Sequence, residues 1–93
     1  MELIRKGDCY LKCGGTADIY YPPDNSEDEY VTCSICGKYI ISSGVRSECL
    51  DRNKLNDNDF KTLRKFISEN QAPYINLRQV AALTGKKCDE DQL

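Results

Sequence analysis

The chain has 93 residues, enough for one domain, or for a very small domain with a helical appendage. Hydrophobic residues make up 40% and charged residues 30%, and no run of eighteen apolar residues occurs, which excludes a single membrane-crossing helix. The formal net charge of −2 lacks the strongly basic balance of a nucleic-acid binder, so such a role is disfavoured without being excluded.

In chain order, Met1 to Gly7 has no apolar signal-peptide core, so a cytoplasmic location is expected. Residues 1–8 should lead into a first turn, with Leu3 and Ile4 available to cover a metal core beside it. That turn is Cys9-Tyr10-Leu11-Lys12-Cys13, and a second cysteine pair, Cys33-Ser34-Ile35-Cys36, follows after nineteen intervening residues. Glycine follows each pair, as Gly14 and Gly37, where a sharply turned backbone favours a residue with positive φ. Two close pairs at this separation have the spacing of a tetrahedral zinc site. Zn²⁺ takes four thiolates at about 2.3 Å, and each pair supplies one edge of the tetrahedron. With no histidine in the chain, thiolate is the only soft ligand, so Cys9, Cys13, Cys33 and Cys36 are the candidate ligands. Four cysteines fill the coordination shell, which favours structural over catalytic zinc.

Two other readings of the cysteines stand beside this one. Six cysteines in a secreted chain would suggest three disulfides, whereas a reducing cytosol favours metal ligands or buried thiols. A redox dithiol at Cys33-x-x-Cys36 would need a helix N-terminus to lower a thiol pKa, yet strand formers follow the pair. Cys49 reads as a small buried hydrophobe and Cys88 as an incidental exposed thiol. Either could replace a ligand of the wider first pair.

Between the pairs, Thr16 to Tyr21 is rich in strand formers. Pro22 and Pro23 break it, and the acidic stretch 24–30 forms a solvated loop. Tyr30-Val31-Thr32 returns as a strand, and Lys38 to Ser42 forms another. Val45 to Leu50 is expected to make a helical turn or two with Val45, Cys49 and Leu50 facing inward. A clearer helix runs from about Asp57 to Glu69, capped by Asn56 or Asp57, with Phe60, Leu63, Phe66 and Ile67 on one stripe. Asn76 and Gln79 fit a capping box for a last helix with Leu77, Val80 and Ala81 on its apolar face and Gly85 at its end. The tail 86–93 is polar.

These residues make the N-terminal part resemble the zinc-ribbon family, whose signature is Cys-x-x-Cys-Gly at each end of a small antiparallel sheet. Cys33 to Gly37 matches it; the first pair has three intervening residues instead of two. The resemblance implies a ribbon over residues 1–43 with structural zinc, but no activity. Leu77 to Gly85 is similar to the first helix and turn of a helix-turn-helix, with Ala81 as the small residue before the turn. The helix after it would carry Asp89-Glu90-Asp91, a poor surface for DNA.

The expected fold is therefore α+β: a small antiparallel zinc ribbon at 1–43, then two or three packed helices within 44–93. The expected role is non-enzymatic: a regulatory module that binds another protein, with a DNA-binding regulator as the alternative. Candidate contact surfaces are the acidic loop and the outer side of the 57–84 helices. Tyr20, Tyr21, Tyr30 and Tyr39 are candidates both for a contact face and for the sheet's core.

Overall fold

Strand formers and turn residues alternate along the first half of the chain, and the computed structural model, which describes residues 2–22 and 27–88, turns them into four successive antiparallel strands. These are β1 (Glu2–Asp8), β2 (Thr16–Tyr21), β3 (Glu29–Cys33) and β4 (Gly37–Ile41). A fifth strand, β5 (Tyr74–Ile75), lies parallel to β4 at the sheet's edge, giving the order β1-β2-β3-β4-β5. β1 was expected only as a lead-in. It pairs with β2 throughout its length, apart from a register shift between Leu3 and Arg5. Leu3, expected to cover the metal core, is instead 43% exposed, while Ile4 packs against the core.

The two faces of the sheet follow from the period-two alternation of side chains. Ala17, Ile19, Val31, Tyr39 and Ile41 point inward and are buried. The outward face carries a row in register: Leu3 opposite Tyr20, Tyr20 opposite Tyr30, Tyr30 opposite Ile40, and Ile40 opposite Tyr74.

Helices cover the inward face. Residues Val45–Leu50 form a π-helical turn with Val45 and Cys49 buried. Helix α1 (Asp57–Ser68) starts at a complete capping box: the Asn56 side chain accepts from the Asp59 amide at 2.9 Å, and Asp59 accepts from the Asn56 amide at 3.0 Å. Its Phe60, Leu63 and Ile67 enter the core, with Phe66 partly buried beside them. Helix α2 (Leu77–Thr84) is capped by Asn76, which accepts from the Gln79 amide at 2.8 Å, and ends at Gly85 in the left-handed region. The second helix that a helix-turn-helix would need falls largely on residues outside those described.

Of the two remaining cysteines, Cys49 is buried as expected. Cys88 departs from expectation: it is only 2% exposed and forms a disulfide with Cys49, with Cα atoms 5.2 Å apart. Sequence separation of 39 residues hid the partnership. Lys54 helps to hold the end in place by donating to the Cys88 carbonyl at 2.7 Å. Neither cysteine is therefore a substitute ligand for the first pair.

Candidate metal centre

Each pair of cysteines occupies a turn between two strands. The first turn joins β1 to β2 and the second joins β3 to β4, so the sheet's own register sets them side by side: Ala17 opposes Cys33, and Cys33 opposes Gly37. Gly14 and Gly37 take positive φ values of 84° and 100°, conformations that a side chain would strain.

The extra residue of the first turn has a structural account. Leu11 buries itself almost completely in the core, and Lys12 adopts φ 54° to bring the chain back. The Lys12 amide closes the turn on the Cys9 carbonyl at 3.4 Å. From below, Arg64 of α1 donates to the Leu11 carbonyl at 2.7 Å and ties the turn to the helix.

The result is a cluster in which the four sulfurs all lie within 4.8 Å of one another. Cys9 and Cys36 are 3.8 Å apart, and Cys13 and Cys33 are 3.4 Å apart. A tetrahedron with metal–sulfur bonds of about 2.3 Å has edges of about 3.8 Å, so these two opposite edges fit such an ion. Cys9, Cys33 and Cys36 are buried and Cys13 is half-buried. The four cysteines can hold a metal ion.

Backbone and side-chain donors surround the sulfurs. The amide of Gly15 donates to Cys13 Sγ at 3.4 Å, and those of Ile35 and Cys36 donate to Cys33 Sγ at 3.4 and 3.3 Å. Tyr39 places its hydroxyl 3.3 Å from Cys9 Sγ. Burial pushes the Cys33 thiol up, but the Cys36 and Ile35 amides and the neighbouring thiols outweigh it and bring the pKa down to about 7. Burial dominates at Cys9, raised to about 11, and at Cys36, raised further. Thus the amides of the second turn, without a helix N-terminus, favour one thiolate, while a cation is needed to hold four.

Sequence reasoning named the four sulfurs but placed Tyr39 only among surface-or-core candidates. Its signal was strand parity: it lies two residues beyond Gly37, on the same inward face as Val31 and Cys33. Arg64 had no such signal, because its contact spans 53 residues. No family model matches the chain, and comparisons with curated proteins and with solved structures found no match.

Proposed function

We propose that the protein is a zinc-held interaction module that binds another protein and performs no chemistry itself. Zinc is the favoured ion because all four donors are sulfur and the fully protein-supplied shell leaves no position for substrate. In this reading the metal is structural. A five-stranded sheet this small has little core near its turns, and the ion stands in for it.

The observation that carries the protein-binding reading is the outward row Leu3, Tyr20, Tyr30, Ile40 and Tyr74. Its members sit opposite one another on all five strands and lie outside the packed core. Leu3 and Tyr74 are themselves exposed large hydrophobics. Tyrosine offers broad contact area with a polar tip, which suits it to protein interfaces. Asp28 accepts from the Tyr74 hydroxyl at 3.2 Å and begins the acidic rim at one end of the row; of the acidic loop expected at 24–30, residues 24–26 lie outside those described, and Glu29 and Tyr30 belong to β3 instead, with Glu29 buried. A cytoplasmic location is consistent with thiolate ligands, and the one disulfide has both residues buried from external thiols.

The test compares zinc-loaded wild type with a Tyr20→Ser/Tyr30→Ser variant in capture of partners from nuclease-treated lysate of the source cells. The expected result is one protein retained by wild type and lost with the variant, whose zinc content and melting stay near wild type. Equal retention by both proteins would remove the sheet face from consideration.

A further inference from the structure

We propose that the groove between the cysteine turns and α1 is a docking surface for the phosphodiester backbone of a nucleic acid. The inference is independent of the protein-binding reading, because it concerns a different surface and a different kind of observation.

Two adjoining depressions of about 520 and 420 Å³ share Cys36 and Ser68 and run along one side of α1. Lys12, Lys61, Arg64 and Lys65 line the first, and Lys38 lines the second. Among the described residues, no carboxylate lines either one. The charge is thus polarised: a chain of net charge −2 concentrates five of its thirteen cations on one groove.

These cations also differ in their partners from four of the other eight. Lys6, Arg46, Arg52 and Lys86 each face a carboxylate within 4.0 Å. Among the described residues, none of the five groove cations is in an ion pair. Lys12 lies 5.3 Å from the centre of the Phe60 ring, and Arg64 spends one donor on the Leu11 carbonyl. Lys61 and Lys65 are exposed, one helical turn apart.

The metal centre does not account for this collar. Four thiolates and a divalent ion carry −2, whereas five cations carry +5, leaving an excess of +3. That excess is spread along a helix face, the first cysteine turn and the start of β4, with Lys61 and Lys65 about 6 Å apart along the axis. A line of charge suits a polyanion better than one small phosphate. Ile35, 64% exposed on the rim of the same groove, offers an apolar contact for sugars or bases.

The test is fluorescence anisotropy of the zinc-loaded full chain with a labelled oligonucleotide, offered in one arm as duplex and in another as single strand. If about four phosphates are neutralised, raising salt from 50 to 200 mM weakens binding on the order of 100-fold for duplex and 50-fold for single strand. The tighter arm identifies the form recognised. Lys61→Glu/Lys65→Glu should weaken binding at least about tenfold, and the milder Lys61→Ala/Lys65→Ala should do so in the same direction with zinc content and melting retained. Lys6→Glu, on β1, should change it less than about twofold. No binding of either form at 50 mM salt, or equal binding by the α1 variants, overturns the proposal. Polyglutamate of equal length binding as tightly would assign the groove to an acidic protein segment instead.

Discussion

The sulfurs of Cys9 and Cys36 lie 3.8 Å apart although 27 residues separate them. Each belongs to a different turn, so the contact exists only because β2 and β3 pair in register between the two turns. Their environment is unfavourable for bare thiolates: burial raises the pKa of both. The same burial becomes favourable once a cation compensates the charge, which couples metal binding to the sheet's folding.

Cys36→Ser should therefore release the metal and unfold the sheet around it. Serine is a poor zinc ligand, and the remaining three sulfurs leave the shell open. Zinc content is expected to fall from one per chain toward zero. Amide exchange should lose protection in β1 to β4 while α1 retains more of its own. A variant that kept its zinc and its melting temperature would show that Cys36 is not a ligand.

The strands were legible where β-branched and aromatic residues alternate between turn formers, and β2 coincides with the expected Thr16 to Tyr21. The N-cap of α1 was legible for a similar reason: capping is local chemistry, readable from Asn56 and its neighbours. What escaped was long-range. β5 is two residues long and gains its place by pairing with β4, where the Ile40 amide donates to the Pro73 carbonyl at 2.9 Å. β1 is rich in charge and reads poorly as a strand, but an edge position tolerates charged residues. At the site, spacing named the sulfurs; the Tyr39 hydroxyl and the Arg64 anchor depend on packing between distant segments.

The disulfide between Cys49 and Cys88 ties the residues after α2 to the π-helical turn. Closing a loop of 39 residues contributes about 4 kcal/mol in the loop-entropy account. Cys88→Ser should lower stability by about 2–4 kcal/mol, with zinc content unchanged. Denaturant unfolding of zinc-loaded protein measures this directly. An unchanged midpoint would mean that the native contacts of Lys54 and Lys86 hold this end without the bridge.

Glu29 is buried at 4% exposure, and its carboxylate serves two partners. The Tyr10 hydroxyl donates to Oε1, and the Arg46 guanidinium lies 3.3 Å from Oε2. Glu29→Ala leaves the partly buried Arg46 without its counterion but still on the Glu27 carbonyl, so the loss should cost about 1.5–3 kcal/mol. Glu29→Gln should be milder because it still accepts from Tyr10. Melting of the two variants gives the ranking; equal melting would mean that the charge contributes nothing.

Lys86 reaches Asp59 at 2.7 Å, linking the segment after α2 to the cap of α1. Burial pushes the Asp59 carboxyl up, but the Lys86 ammonium and the Asn56 amide outweigh it and hold it below its usual value. A folded-state pKa below the unfolded one stabilises the fold at pH values above the unfolded pKa of about 3.9, and the benefit is lost as pH falls through the folded value. Lys86 is partly exposed, so the pair is screened and worth about 1 kcal/mol or less. Lys86→Met should then lower the melting temperature by roughly 4–8 °C or less at neutral pH. Acid would also release a bound metal from both proteins, so the pair is isolated by the difference in amide-exchange protection of α1 between the two. That difference should shrink once pH drops below about 4. If it stayed constant into strong acid, Lys86 would be acting through its packed alkyl stem and not through the Asp59 charge.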